Sequence, residues 1–199
     1  RQFVFSSLKG GVGRSTALSV VAAEQARKGR NVLVVDMDLE APGIGSILLD
    51  PDRRPAFGTL DYLAETEIGG IEDAALVDFV GTSGLTSGAG LVDVVPVAGT
   101  ASERHPANFL SKLSRAMQDS IGDDGVSISL REKTRRMIRH VSARRSYDLV
   151  LIDARAGMAE LAAGLRRKRR RPPREGALRP AQAARLPRPV RRWWRAAAR

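Results

Sequence analysis

Residues 8–16, Leu8-Lys9-Gly10-Gly11-Val12-Gly13-Arg14-Ser15-Thr16, constrain this chain more than any other stretch. They lie between an apolar run, Phe3-Val4-Phe5, and a helical pattern that starts near Ser15. A strand feeding a glycine loop that opens a helix is the setting in which backbone N–H groups converge on phosphate oxygens. The loop turns through conformations that a Cβ obstructs. The helix start adds unpaired N–H donors and the positive end of its dipole. With Gly at about 7% of residues, three fixed glycines, two cations and a hydroxyl coincide by chance roughly once per million positions or less. The alternative, a glycine turn that binds nothing, needs one or two glycines and no cations. The stretch departs from the common G-x-x-x-x-G-K-[ST] pattern: Leu8 stands at the first Gly, Arg14 stands at the Lys, and Lys9 is an extra cation.

The rest of the chain alternates strands and helices. Phe3 to Ser7 reads as a first strand and Ser15 to Lys28 as a helix, with Ala17, Leu18, Val21 and Ala22 available for burial and Gly29 as its stop. Asn31 to Asp36 is a continuous apolar run, expected of a parallel strand covered on both faces. Helical periodicity runs through residues 59–80, a Gly/Ser/Thr loop through 82–90, and a third strand from Leu91 to Val97, broken or ended near Pro96. Helices follow at Pro106–Gln118 and Leu130–Arg145, separated by a polar turn at Gly122-Asp123-Asp124-Gly125, and Tyr147–Asp153 is a fourth strand. This order implies an α/β protein with a parallel sheet and its ligand at the strands' carboxyl ends.

The stretch Lys-Gly-Gly-Val-Gly-Arg-Ser resembles the deviant Walker A motif of the MinD/ParA family of ATPases, in its Arg-containing KGGVGR variant. That resemblance implies a three-layer αβα P-loop NTPase fold with ATP and Mg²⁺ as cofactors. It also implies an ATP-dependent homodimer in which Lys9 reaches the partner's phosphates and contributes to catalysis. Gly10, Gly11, Val12 and Gly13 would line the nucleotide, Arg14 would serve the phosphates of its own subunit, Ser15 would hold Mg²⁺ and Thr16 would bond the α-phosphate. Most members carry Lys at the Arg14 position; Arg keeps the charge but presents a planar fork in place of a compact ammonium.

Three carboxylates complete the expected site. Asp36 and Asp38 close the second strand, and alternate residues of an extended segment point the same way. By resemblance this is switch I, with Asp38 positioning or deprotonating the attacking water and Asp36 near the waters of the metal. Asp153 ends the fourth strand after four apolar residues, a Walker B pattern, and Asp153-Ala154-Arg155-Ala156-Gly157 agrees with the family's sequence there. Asp153 would then be a metal ligand and Gly157 the switch II residue near the γ-phosphate. The bland alternative for all three acids is a polar rim at strand ends. Arg155 reads as a plain switch-loop cation ahead of an arginine finger, and Glu40 is given no role. His105 and His140 are isolated, so no imidazole metal site is expected. Arg135, Arg136, Arg139, Arg144 and Arg145 read as a solvated face ahead of a DNA-contacting one. A bacterial tyrosine kinase shares the deviant loop but usually carries a tyrosine-rich tail, whereas Tyr62 and Tyr147 both lie within the domain.

Charge divides the chain in two. Residues 1–165 hold 19 Lys+Arg and 21 Asp+Glu, whereas residues 166–199 hold 14 Lys+Arg against a single acid, Glu175. The same tail has five of the ten prolines and both tryptophans, Trp193 and Trp194. We therefore read 1–165 as the N-terminal part of the ATPase domain and 166–199 as a basic Arg/Pro/Ala-rich tail. The tail is a nucleic-acid-binding arm, a membrane-surface anchor, or the out-of-frame translation of a high-GC gene. The last is favoured, because the change is sudden, falls inside a domain and replaces strands that the resemblance leads one to expect. A start on Arg1 directly before a strand also suggests a fragment. Loss of later strands would leave the edge of the first strand unpaired and the polypeptide prone to fold poorly alone. With no cysteine and no apolar run of membrane-span length, the expected setting is cytoplasmic.

Overall fold

The computed structural model describes residues 1–7, 11–65, 71–85, 88–121 and 125–155. In chain order the elements are β1 (Gln2–Ser6), α1 (Arg14–Arg27), β2 (Asn31–Asp36), α2 (Ile44–Leu48), a 3-10 turn (Pro51–Arg53), α3 (Thr59–Glu65), a second 3-10 segment (Asp73–Phe79), β3 (Gly81–Thr82), β4 (Leu91–Val95), α4 (Thr100–Arg104), α5 (Ala107–Met117), β5 (Ser120–Ile121), β6 (Ser127–Ile128), α6 (Leu130–Ala143) and β7 (Leu149–Ala154).

The main sheet has the order β1-β7-β2-β4-β3. The first four strands are parallel, and β3 pairs with β4 in the antiparallel sense. The glycine-loop strand β1 thus lies beside β7 and, among the described residues, pairs with β7 alone. The central strands β2 and β7 are apolar on both faces because both faces are covered. Val32, Val34, Leu149 and Leu151 pack with Leu18, Ala22 and Ala26 of α1 and with Ile44 and Leu48 of α2. Leu33, Val35, Val150 and Ile152 pack with Leu60 and Leu63 of α3, Ala116 of α5, and Met137, Ile138 and Val141 of α6. Two cores on opposite faces of one sheet make the three-layer αβα arrangement.

Several sequence expectations are corrected. The sheet is not wholly parallel: β3 lies inside what reads as the start of a loop, and two residues are too few for alternation to register. The third strand ends at Val95, where Pro96 has no N–H for the ladder. Its carbonyl instead accepts the Thr59 N–H at 2.8 Å and starts α3. The helical reading of 59–80 resolves into α3 and a 3-10 segment, with residues 66–70 outside the described ones. The polar turn near 122–125 is flanked by a small hairpin, β5 against β6, with 122–124 outside the described residues. In α1, Ala17 and Val21 are exposed, while Ser19, Ala22 and Ala26 are buried. Small side chains let this helix approach the sheet, and the Ser19 hydroxyl is satisfied by the Ser15 carbonyl at 2.8 Å.

A buried polar knot ties the β4 side of the sheet to the segment entering β7. Asp93 is fully buried and accepts hydrogen bonds from Thr82 Oγ1 (2.6 Å) and Tyr147 Oη (2.7 Å). Arg144 and Arg145 stand 3.8 and 3.7 Å from the same carboxylate. Burial and Asp93 together push the Tyr147 hydroxyl above its ordinary value, so it stays a donor. Removing that donor leaves a buried carboxylate oxygen short of a partner. Tyr147→Phe should therefore lower the unfolding free energy by about 1–3 kcal/mol, read from urea denaturation midpoints; a change within error would show that the knot is dispensable.

Candidate functional site

The chain enters the site through its glycines. Gly11 and Gly13 take φ of 72° and 77°, the left-handed region that L side chains avoid. Gly13 is the N-cap of α1; no side chain caps the helix and no acid lies in its first turn. The helix start therefore keeps its N–H donors and positive dipole end for a ligand. An open cleft of about 600 Å³ lies against it, lined by Ser7, Gly11 to Thr16, Asp38, Ala41 and Arg155.

The opposite wall comes from the carboxyl ends of β2 and β7. Their register sets Asp36 beside Asp153. Beyond β2 the alternation continues: Met37 and Leu39 enter the core shared with α3 and α6, while Asp36 and Asp38 turn to the other side. The Met37 N–H donates to the Asp153 carbonyl at 2.8 Å, extending the pairing past the strand end.

Arg14 connects these walls. Its Nη2 donates to Asp38 Oδ2 at 2.7 Å and its Nε donates to Asp153 Oδ1. Ser15 Oγ donates to Asp153 Oδ2 at 2.5 Å, so both oxygens of Asp153 are engaged by residues of the loop–helix junction. The Arg14 side chain is 12% exposed and that of Asp153 1%. Burial works against the Arg14 charge, but the two carboxylates outweigh it and hold the guanidinium protonated.

Asp36 is buried and committed to the backbone. Oδ1 accepts the Asp38 N–H at 3.0 Å, and Oδ2 accepts those of Gly43 and Ile44 at 3.4 and 3.3 Å. It folds the loop after β2 back on itself. Desolvation, reinforced by the nearby charge of Asp153 and opposed by those N–H groups, pushes its carboxyl up to about 7.

The structure thus brings Gly11, Val12, Gly13, Arg14, Ser15, Thr16 and Asp38 into one cleft, with Asp153 behind Arg14 and Ser15 and Asp36 behind Asp38. Lys9, Gly10 and Gly157 lie outside the described residues, as does the whole of 166–199 with Trp193 and Trp194. One contact escaped the sequence: Arg155, at the end of β7, donates to Glu40 in the loop after β2 and closes one side of the cleft. The only signal was their shared position just past the two acid-bearing strand ends. His140 is structural, held by Tyr62 Oη (2.8 Å) and Asp73 (2.6 Å). Arg135, Arg136 and Arg139 gather around Glu132 of their own helix. Among the described residues no group of His, Cys, Asp or Glu forms a metal cluster, and no helix is long and apolar enough to cross a membrane.

A glycine loop, an uncapped helix start and strand-end carboxylates meet at one cleft, the arrangement expected of a P-loop fold. The fold is that of the ParA-like P-loop proteins. The ParA family ATPase from Chlorobium tepidum TLS superposes with a TM-score of 0.52 at 17% identity, covering 82% of this chain and 55% of that one. The cobyrinic acid a,c-diamide synthase from Mycobacterium smegmatis, solved with ADP and magnesium, gives 0.50 at 21% identity over 83% of this chain and 55% of that one. The kinase domain of the Escherichia coli tyrosine kinase ETK gives 0.50 at 20% identity over 82% and 50%. The chain spans about half the length of these solved structures. No protein-family model matches the sequence, and no curated protein does.

The position of Asp36 has a pH consequence. Its folded-state value, about 7, lies above the ordinary 3.8, so the folded protein holds a proton that the unfolded chain releases. That contribution is complete below pH 3.8 and is lost as pH rises through about 7. In nucleotide-free, metal-free protein, stability relative to Asp36→Asn should therefore decline across this window. Parallel urea midpoints for the two proteins would show it; a difference that is flat or rises with pH would contradict the assignment.

Proposed function

We propose that this chain binds MgATP and hydrolyses it as a MinD/ParA-type nucleotide-sandwich ATPase of the cytoplasm, serving partitioning, positioning or regulation. The observation that carries this reading is the cleft itself: the left-handed Gly11 and Gly13 open onto the uncapped start of α1, opposite the carboxylate of Asp38, with Asp153 behind Arg14 and Ser15.

The division of labour follows from chemistry. Backbone N–H groups of residues 10–16 and the α1 dipole take the phosphates. Thr16, exposed at the cleft, suits the α-phosphate, and Gly157 would serve the γ-phosphate. The Ser15 hydroxyl and Asp153 form an all-oxygen donor pair that fits Mg²⁺, and the Arg14 guanidinium already sits on Asp153 as a stand-in cation. Asp36, beside Asp153 in the ladder, would act on the metal's waters only indirectly, because its oxygens are held by loop N–H groups. When bound, Mg²⁺ would neutralise charge on the phosphates.

On this reading Asp38 would orient water for attack on the γ-phosphorus, giving ADP and phosphate, once Arg14 releases its carboxylate. Such catalysis is mostly positioning and charge neutralisation. Lys9 supplies the remaining positive charge across a homodimer, which makes ATP both substrate and interface. Titration with a fluorescent ATP analogue, with light scattering in parallel, tests this. Wild type should bind the analogue and dimerise only with ATP, and Lys9→Ala should abolish dimerisation. Absence of nucleotide binding by folded wild-type protein would overturn the reading.

The second reading, a nucleic-acid-binding protein acting through residues 166–199, rests on their 14 Lys+Arg. It is favoured by DNA binding that weakens steeply with salt and ignores Lys9→Ala.

A further inference from the structure

Arg14 lines the cleft, yet its guanidinium is spent on carboxylates. Its planar fork divides between two carboxylates, Nη2 on Asp38 and Nε on Asp153, while Ser15 Oγ takes the second oxygen of Asp153. Those are the oxygens a divalent cation would need. The Arg14 side chain is 12% exposed and those of Asp38 and Asp153 are 10% and 1%, so the guanidinium acts as their counter-ion, and removing it would leave two partly or fully desolvated carboxylates without a cation. A lysine ammonium is a compact point charge and cannot present two divergent N–H groups from a rigid plane. The other described cation of the cleft, Arg155, is engaged by Glu40.

We propose that Arg14 is a resident counter-ion that excludes a divalent cation from Ser15 and Asp153 until a polyphosphate draws the guanidinium away. Polyphosphate and metal then enter as a coupled pair, and the empty protein has little affinity for the metal alone. The proposal rests on the reading of the cleft as a Mg-nucleotide site, but its prediction concerns the protein without nucleotide.

The test is Mn²⁺ binding to the full 199-residue chain without nucleotide, followed by electron paramagnetic resonance and calorimetry, with circular dichroism confirming that each variant folds. Arg14→Gln removes the charge and should bind Mn²⁺ at least about tenfold more tightly than wild type. Adding Asp153→Asn should return affinity to the wild-type level. Equal affinity of wild type and Arg14→Gln, or a gain that survives Asp153→Asn, overturns the proposal. Should Arg14→Gln fail to fold, Arg14→Lys serves instead: its shorter side chain and compact ammonium hold the two acids less well than the planar fork, so it should show a smaller gain, and no gain overturns the proposal. Fluorescent-ATP binding by wild type, measured alongside, keeps the two claims apart. Its failure would sink the nucleotide reading while leaving the Mn²⁺ comparison intact.

Discussion

Everything at this site hangs on the parallel pairing of β2 with β7. The register that sets Val34 beside Leu151 also sets Asp36 beside Asp153, and the Met37 N–H extends the ladder by one more bond. Both strands are buried on both faces, so a one-residue slip would drive their acids from the α1 face into the opposite core. The carboxylates are therefore fixed by the apolar packing of the strands that carry them. The loop after β2 inherits that order through the hydrogen bonds Asp36 accepts from Asp38, Gly43 and Ile44.

Three acids meeting at two adjacent strand ends create a charge surplus that the fold resolves in two ways. Asp153 and Asp38 share one guanidinium. Among the described residues Asp36 has backbone N–H partners but no cation, and burial raises its carboxyl to about 7. Buried ion pairs contribute little net stability, because desolvation offsets their attraction, although breaking one is expensive. The Arg14 arrangement is better understood as electrostatic poise. A negatively charged ligand at the α1 start would compete with Asp38 and Asp153 for the same guanidinium.

Much of this was legible in the sequence, for identifiable reasons. Glycines at 11 and 13 announce left-handed turns, an apolar run such as residues 31–36 announces a strand covered on both faces, and acids at the ends of such runs fall on the sheet's carboxyl edge. What was hidden depends on tertiary geometry. The pattern supplies a cation at Arg14 but not its choice between phosphate and carboxylate, which follows from Asp38 lying 24 residues away and Asp153 lying 139 away. Glu40 and Arg155 are 115 residues apart and meet only because β2 and β7 are neighbours. The helices α2 and α4 have five residues each, too few for a 3.6-residue period to emerge. In α1, burial of Ser19 with exposure of Val20 and Val21 inverts the simplest hydrophobic reading.

That inversion bears on the asymmetry of the sheet. On one side, the edge strand β3 is two residues long, antiparallel and tied to β4 through Thr82 and Asp93, a blunted edge of the kind that discourages further pairing. On the other, β1 is five residues long and paired only with β7 among the described residues, with Phe3 half exposed on the face it shares with Phe5. Val20 and Val21 of α1 are exposed as well. Among the described residues the outer backbone of β1 has no strand partner and apolar side chains nearby are accessible, the combination that strand addition uses. The glycine loop begins directly after this edge strand, so whatever pairs with β1 bears on the geometry of the phosphate cradle as well as on the sheet.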